Sequence, residues 1–218
     1  MRKLKVSTFL TLDGVMQAPG GPEEDRSGGF DHGGWSVGYW DEKMGEVMTE
    51  FMGKPFDMLL GRKTYEIFAA YWPHSTEPGA DALNNARKHV ASRTLKSVDW
   101  NNSILIKGDV VKYVKDLKQT NGPEIQVHGS GDLIQTLLKN DLIDEFNVWT
   151  FPVVLGSGKR LFANGAIPAG LKVTNVTTSS TGVVITTYER AGEIKYGSFA
   201  PAEPSEAEVE RRQRVGSA

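Results

Sequence analysis

Apolar and polar residues follow two different periods along this chain, which predicts a mixture of strands and helices. Short apolar runs are typical of buried strands, and they occur at 3–12, 56–60, 89–91, 103–106, 124–128 and 145–151. Other segments are predicted as helices, mostly because their apolar residues recur at i, i+3, i+4 and i+7; these are 41–54, 62–72, 110–120 and 131–139. Strands and helices therefore alternate through the middle of the chain.

That alternation predicts an α/β fold, with a largely parallel sheet and helices on both of its faces. The pattern then changes, because 171–178 and 183–190 alternate apolar and polar residues around a Ser-Ser-Thr-Gly link. Such alternation predicts a hairpin, and an antiparallel edge on a parallel sheet is common. We predict one domain over residues 1–190.

Residues 191–218 hold few large apolar side chains, which predicts a charged C-terminal tail outside that domain. Ser205 with Glu208 forms a capping box, so 206–214 is predicted as a short helix. A solvated tail is the favoured interpretation, and a clasp over a partner subunit is the alternative.

The long segment 13–40 has no helical or strand period, but it carries aromatic residues such as Phe30, Trp35 and Tyr39. Loops of that length inside a domain are usually functional or disordered. Because disordered segments are poor in aromatic residues, we predict a folded lid.

Composition narrows the class of protein. Hydrophobic residues are 39% and charged residues 24% of the 218-residue chain, with a net charge of −2, so no global field favours nucleic acid. No cysteine is present and the four histidines (32, 74, 89 and 128) lie far apart, so no metal site is predicted. The absence of an 18-residue apolar stretch predicts no membrane span, and the first strand does not resemble a secretory signal. We therefore expect a cytoplasmic protein with a small-molecule substrate. A homodimer is possible.

Three predicted strand ends carry residues suited to an anion. They are Gly61-Arg62-Lys63-Thr64, Ser92-Arg93 and His128-Gly129-Ser130-Gly131. Ligands of open α/β sheets bind outside the carboxyl ends of the strands, and small residues before a helix let phosphate approach its free N–H groups. Arginine favours bidentate phosphate contacts. The combination indicates a dinucleotide with an extra phosphate, NADPH, although turn residues without a ligand are the alternative.

With these motifs the chain resembles the dihydrofolate reductase-like superfamily, and more closely the reductase domain of riboflavin biosynthesis and its stand-alone relatives. The resemblance covers roughly residues 3–190 and rests on Leu-Asp-Gly-Val-Met at 12–16, Leu-Gly-Arg-Lys-Thr-Tyr at 60–65, Ser-Arg-Thr at 92–94, His-Gly-Ser-Gly at 128–131 and Pro-Val-Val-Leu-Gly-Ser-Gly-Lys-Arg-Leu-Phe at 152–162. It implies a three-layer α/β/α fold around a mixed sheet, with NADPH along the strand ends.

The resemblance also implies roles for single residues. Ser92 and Arg93 would hold the adenosine 2′-phosphate. The pyrophosphate, the neighbouring ribose and the nicotinamide side would be met by Gly61, Arg62, Lys63, Thr64, Gly129, Ser130, Gly131, Asp132 and Leu133. The 13–40 segment takes the place of the lid that closes over the nicotinamide, and closure of that kind keeps water away from a hydride transfer.

The departures from the family concern the substrate. Dihydrofolate reductase has a carboxylate on the inner face of the helix after the lid, where this chain has apolar residues such as Met48. Asp41 lies in the first turn of that helix, where capping is at least as good an explanation. The riboflavin reductase domain usually has an acidic residue where this chain has His128, and Ser130 replaces a glycine.

Asp13 and His128 are the candidate proton donors. Asp13 ends the first strand, and an Asx turn with Gly14 is the alternative. His128 ionises near neutral pH in its unperturbed state, and a histidine satisfied by the backbone is the alternative. Trp35, Tyr39 and Met48 are the candidate substrate-binding residues, although loop aromatics also pin loops to the core.

Three functions follow in order of preference. The first is an NADPH-dependent reductase of a small heterocyclic substrate, resembling 5-amino-6-(5-phosphoribosylamino)uracil reductase. Dihydrofolate reduction is an enzymatic alternative to this first function. The second function is a non-enzymatic NADP-binding module. The third is a structural protein in which the glycines only form turns.

Overall fold

The computed structural model describes residues 1–162, 167–199 and 203–215. Its strands are β1 Leu4–Thr11, β2 Phe56–Gly61, β3 Arg87–Ala91, β4 Ser103–Ile106, β5 Glu124–His128, β6 Glu145–Phe151, β7 Leu171–Thr178 and β8 Val184–Arg190. Its helices are α1 Glu42–Met52, α2 Arg62–Tyr71, α3 Ala80–Asn85, α4 Val110–Gln119, α5 Gly131–Lys139 and α6 Glu206–Val215.

All eight strands form one sheet, in the order β4-β3-β2-β5-β1-β6-β8-β7. The strands from β4 to β6 are parallel, whereas β8 runs antiparallel to β6 and to β7. This confirms the predicted α/β fold with a mixed, mostly parallel sheet and an antiparallel C-terminal hairpin.

Helices cover both faces of the sheet, because each face buries its own set of apolar side chains. On one face, Ile134 of α5 and Val114 of α4 pack with Val6 and Val127 of the strands. On the other face, α2 and α3 pack over β2 and β3, and α1 packs over Trp149 of β6. The sheet is therefore the middle layer of three, and its carboxyl edge lies between the two helix layers.

The sequence prediction was wrong in one element, because the predicted loop 73–86 contains α3. This helix has six residues and buries only Ala80 and Leu83, so its apolar pattern is too short to be recognised as a helical period. It begins after Gly79, which has a φ of +92°, a conformation that glycine adopts readily.

The 13–40 segment is folded, with 3₁₀ turns at Ser27–Gly29 and Val37–Tyr39.

The helix α6 lies where the tail helix was predicted, and its Glu208 N–H lies 3.4 Å from the Ser205 Oγ. The domain boundary at residue 190 stays a prediction. Among the described residues, no helix is both long and apolar enough to cross a membrane.

Candidate functional site

The three strand ends predicted to bind an anion lie side by side at the carboxyl edge of the sheet. Gly61 is the register partner of Ala91, so Ser92 and Arg93 leave β3 beside the start of α2. On the other side of β2, the Gly61 N–H donates to the Ser130 Oγ at 2.9 Å. The segments around Gly61, Ser92 and Gly129 thus lie side by side, and we call the space outside this edge of the sheet the candidate groove.

A hydrogen-bonded junction between Thr64 and Ser130 joins α2 to α5. The Ser130 N–H and the Ser130 hydroxyl each lie 3.0 Å from the Thr64 Oγ1. Ser130 is left-handed, with a φ of 57° and a ψ of 47°, a conformation that costs a non-glycine residue roughly 1–2 kcal/mol. Gly129 before it also has a positive φ, 56°. Backbone strain of this kind clusters at functional sites.

The two helices that begin at this junction have free N-termini. Asp41 caps α1 and Asp109 caps α4 through side-chain hydrogen bonds. Among the described side chains, none caps α2 or α5 in this way. The first N–H groups of a helix have no partner within the helix, and they carry partial positive charge. The junction can therefore receive an anion from two helices at once.

Cations surround the same edge. Arg62 and Lys63 belong to the first turn of α2 and are exposed, as is Arg93. Sequence reasoning missed Lys107, which follows β4 directly; because Ile106 is the register partner of Ala91, Lys107 leaves the sheet next to Ser92. The strand-end rule that selected Arg93 also applies to Lys107, so the sequence contained the signal.

Some of the predicted groups are occupied within the protein. The Ser92 Oγ accepts from the N–H groups of Thr94 and Leu95 at 3.2 and 3.0 Å, which leaves its hydroxyl hydrogen available. The Leu133 side chain is 7% exposed and belongs to the core, so only its main chain could contribute to ligand binding. Asp132 is exposed in the first turn of α5.

The 13–40 segment contacts both α2 and the 152–162 segment through Asp25. Its carboxylate lies 2.5 Å from the Lys159 Nζ and 3.4 Å from the Lys63 Nζ. Partial burial opposes ionisation, but hydrogen bonds from Lys159 and Ser27 hold the pKa of Asp25 below its ordinary value. No sequence spacing relates these residues, so this anchor could not be predicted.

The candidate substrate-binding aromatics pack on the core side of the lid. The rings of Trp35 and Tyr39 meet the ring of Phe151 edge-on, at centroid distances of 5.2 and 5.8 Å. Met48 of α1 packs against the same cluster. The loop-pinning alternative thus applies to Trp35 and Tyr39, and their contact with a substrate stays a prediction.

The contacts of Asp13 favour a structural role over proton donation. Its carboxylate accepts from the Thr11 hydroxyl at 2.5 Å, from Gly156 N–H at 2.9 Å and from Leu155 N–H at 3.2 Å. These hydrogen bonds hold the pKa of Asp13 at about 2, so the group is an anion at neutral pH. The Arg160 Nη2 lies 3.3 Å from the Asp13 Oδ2 and forms an ion pair with it. Asp13 joins the end of β1 to the 152–162 segment, and the alternative Asx turn with Gly14 is not formed.

The surroundings of His128 likewise disfavour proton donation at neutral pH. Its ring lies among Phe51, Phe56 and Phe68, at centroid distances of 6.1, 6.4 and 6.4 Å. Burial lowers the pKa of His128 to about 4, because an apolar environment disfavours the charged imidazolium. Its Nε2 lies 3.1 Å from the Gln126 Oε1, so a side chain, not the backbone, is its polar partner.

His128 should instead make stability depend on pH. Unfolding restores the ordinary pKa near 6.5, so the unfolded chain gains a proton that the folded chain excludes. Stability should fall as the pH drops from about 6.5 to about 4, by roughly 3 kcal/mol for this group. His128→Gln should remove that part of the pH dependence in urea unfolding at pH 7 and pH 4.5, while the exposed His74→Gln should keep it. An unchanged slope in His128→Gln would contradict the assignment.

Asp41 does not replace the carboxylate that dihydrofolate reductase has on this helix. Its side chain accepts from Met44 N–H at 2.9 Å and from Ser180 N–H at 2.7 Å, which agrees with the predicted capping role. Within the described ranges, no group of three or more histidine, aspartate or glutamate side chains is arranged to hold a metal ion.

Comparisons with known proteins agree on one family. The RibD C-terminal domain model matches residues 2–185. The uncharacterized protein YyaP of Bacillus subtilis (strain 168) is 31% identical over 196 residues, which cover 88% of this chain and 96% of YyaP. YwjB of the same organism, also named uncharacterized, is 29% identical over 164 residues, covering 74% and 83% of the two chains.

Solved structures share the fold. A protein of Shewanella sp. PV-4, provisionally named for riboflavin biosynthesis, superposes with a TM-score of 0.67 and 25% identity, covering 87% of this chain and 99% of that one. A pyrimidine reductase-like protein of Corynebacterium diphtheriae gives a TM-score of 0.61 at 11% identity, covering 88% and 93%. The chain therefore belongs to the RibD C-terminal domain family, the dihydrofolate reductase-like reductase domain that its motifs resemble.

Proposed function

We propose that this protein is an NADPH-dependent oxidoreductase that reduces a small heterocyclic substrate. The observation that supports this most is the junction of Thr64 with Ser130, where the free N-termini of α2 and α5 meet within hydrogen-bonding distance. A pyrophosphate carries negative charge on both phosphates, and a pair of helix N-termini offers each phosphate its own set of N–H donors.

Glycine residues at the junction allow α2 and α5 to begin close together. A Cβ on Gly129 would lie 3.3 Å from the Thr64 Oγ1, and Gly129 has a φ of +56°. A Cβ on Gly61 would lie 3.5 Å from the Ser130 side chain. Glycine at both places therefore permits the close approach that brings the two helix N-termini to one side of the sheet.

The extra phosphate of NADPH has a matching set of cations. Arg93 and Lys107 leave neighbouring strands, and within the described ranges neither forms an ion pair. A guanidinium beside a free ammonium and the Ser92 hydroxyl suits a phosphate monoester better than a ribose hydroxyl. This arrangement is why we propose NADPH over NADH.

When bound, the nicotinamide would supply the hydride, and the protein supplies position and exclusion of water. The α2 and α5 N-termini would hold the phosphates. The lid, anchored through Asp25 to Lys63 and Lys159, would cover the groove. With pKa values below neutral pH, Asp13 would be a carboxylate and His128 a neutral imidazole, so we propose neither as the source of the accompanying proton.

For the substrate we propose a ring of the phosphoribosylaminouracil type, because the chain belongs to the riboflavin reductase family. Dihydrofolate is a weaker candidate, because α1 buries Met44 where the carboxylate of dihydrofolate reductase would be expected. A non-enzymatic NADP-binding module is the second candidate function. It is favoured by the absence of a suitable proton donor at Asp13 and His128.

Two measurements test the proposal in sequence. Titration of NADPH with the full chain should enhance the fluorescence of the reduced nicotinamide, and added inorganic pyrophosphate should reverse that change by competition. No change in emission at saturating protein would refute the cofactor site. Oxidation of NADPH in the presence of aminouracil phosphates, but not of dihydrofolate, would support the reductase; binding without oxidation of any substrate would favour the binding module.

A further inference from the structure

The turn that joins α4 to β5 contains an asparagine followed directly by a glycine. It spans residues 120–123, and both Asn121 and Gly122 are exposed to solvent. The side-chain amide of an asparagine can react with the main-chain nitrogen of the next residue, because the five-membered ring that closes is unstrained. Glycine in the next position favours this reaction, since it has no Cβ that would hinder the approach of the two atoms.

Arg2 holds both ends of this turn. The Arg2 Nε donates to the Pro123 carbonyl at 2.5 Å, and the Arg2 Nη1 lies 3.5 Å from the Thr120 Oγ1. The Thr120 N–H also donates to the Leu117 carbonyl at 3.1 Å. The residues on either side of the Asn-Gly pair are therefore fixed in place.

The Asn-Gly pair at the centre of the turn has the freedom that ring closure requires. Within the described ranges, neither the Asn121 side-chain amide nor the Gly122 N–H forms a hydrogen bond. Exposed turns with small or polar residues are also the places where the main chain moves most easily. No bond has to break before the Asn121 side chain turns towards the Gly122 nitrogen.

A cation lies beside the reacting residues. A Cβ placed on Gly122 would lie 3.0 Å from the Arg2 Cζ. The reaction requires that the Gly122 nitrogen lose its proton, and a neighbouring positive charge stabilises the anion that forms. The ion pair of Arg2 with Asp57, at 2.5 Å, keeps the guanidinium in this position.

We propose that Asn121 is a site of spontaneous modification, at which the side-chain amide becomes a carboxylate. The Gly122 nitrogen attacks the Asn121 Cγ, the bond from Cγ to the amide nitrogen breaks, and ammonia leaves a cyclic imide behind. Water then opens the imide. Opening at the side-chain carbonyl gives aspartate, and opening at the main-chain carbonyl gives isoaspartate, in which the chain runs through Cγ. The reaction consumes only water and does not depend on the proposed reductase activity.

The isoaspartate product should disturb the contacts of Arg2. It adds one methylene group to the main chain between Thr120 and Pro123, the two turn residues that Arg2 contacts. Arg2 is 7% exposed, and movement away from Asp57 would leave a buried carboxylate unpaired, which is destabilising. Modified protein should therefore unfold at a lower urea concentration than fresh protein.

Asn102 is a matched control within the same chain. It is exposed and precedes another small residue, Ser103. However, its Nδ2 donates to the Asn85 carbonyl at 2.9 Å, and its own carbonyl accepts from the Lys88 N–H at 2.9 Å. Because these hydrogen bonds oppose ring closure, Asn121 should react at least about tenfold faster than Asn102.

Mass spectrometry of the folded full chain, incubated at mildly alkaline pH and then digested with trypsin, tests the proposal. Asn121 and Asn102 fall on the separate fragments 119–139 and 97–107. Fragment 119–139 should gain the mass that replacement of NH₂ by OH gives. It should also accept methyl groups from an isoaspartyl methyltransferase, because direct hydrolysis of the amide would produce aspartate alone. The Asn-Gly pair at 164–165 lies outside the described residues and falls on a third fragment, 161–172.

Fragment 119–139 would overturn the proposal if it kept its mass, reacted no faster than fragment 97–107, or changed without forming isoaspartate. Asn121→Gln is the matched variant, because its longer side chain would have to close a larger ring. It should abolish the conversion and the shift in urea unfolding, with circular dichroism reporting folded protein. Conversion of the fragment in this variant would assign the change to another residue and would also refute the site.

Discussion

Arg93→Ala should weaken the binding of NADPH by about 10- to 100-fold, because a charge-assisted hydrogen bond to a phosphate contributes roughly 1.5–3 kcal/mol. The same change should alter the affinity for NADH by less than about threefold, because NADH lacks the 2′-phosphate. The structure supports this difference, since Arg93 leaves β3 at the edge of the groove and is exposed to solvent. Fluorescence titration of both reduced dinucleotides measures it.

Arg87→Ala is the matched control for that experiment. Arg87 is exposed like Arg93, but it begins β3 at the amino end, whereas Arg93 follows the carboxyl end of that strand. Its loss should change neither affinity. Equal losses for NADPH and NADH in Arg93→Ala would refute a role for Arg93 in recognising the phosphate, even if both dinucleotides bind to the groove.

Gly129→Ala should reduce the affinity for NADPH at least about tenfold, in addition to a loss of stability of roughly 1–2 kcal/mol. The loss of stability follows from the φ of +56° at Gly129. The loss of affinity follows because the new Cβ would lie 3.3 Å from the Thr64 Oγ1 and would disturb the junction between α2 and α5. Urea unfolding and NADPH titration separate the two effects.

Gly192→Ala separates backbone strain from site disruption. Gly192 has a φ of +84°, but a Cβ there would have no atom within 4 Å. It should lose stability by a similar amount and keep its affinity for NADPH. If both variants lose affinity equally, general destabilisation explains the effect, and the tight packing at Gly129 does not contribute to coenzyme binding.

Much of the fold could be predicted because local periods carry the information. β4 and β5 have the bounds that their apolar runs predicted, and the hairpin of β7 with β8 follows from alternation. The exception, α3, is a helix whose short apolar pattern does not identify it and whose conformation depends on packing over Val90 and Trp100.

The candidate groove could be located for a similar reason. Residues that directly follow parallel strands lie at the same edge of the sheet, and this does not depend on the conformation of the loops. Gly61, Arg93 and Ser130 were therefore expected to lie close together. Their hydrogen bonds, such as that of Ser130 with Thr64, depend on the relative placement of two helices and were not predictable.

By itself, the sequence determined the α/β architecture, the family and the edge of the sheet where an anion would bind, because these depend on residue periods and on short motifs next to strand ends. Only the tertiary structure decided the surroundings of Asp13 and His128, the ion pairs of Asp25 and the exposure of β7. A pKa, an ion pair and an exposed face each depend on groups that are distant in the chain, and folding alone brings those groups together or leaves them uncovered.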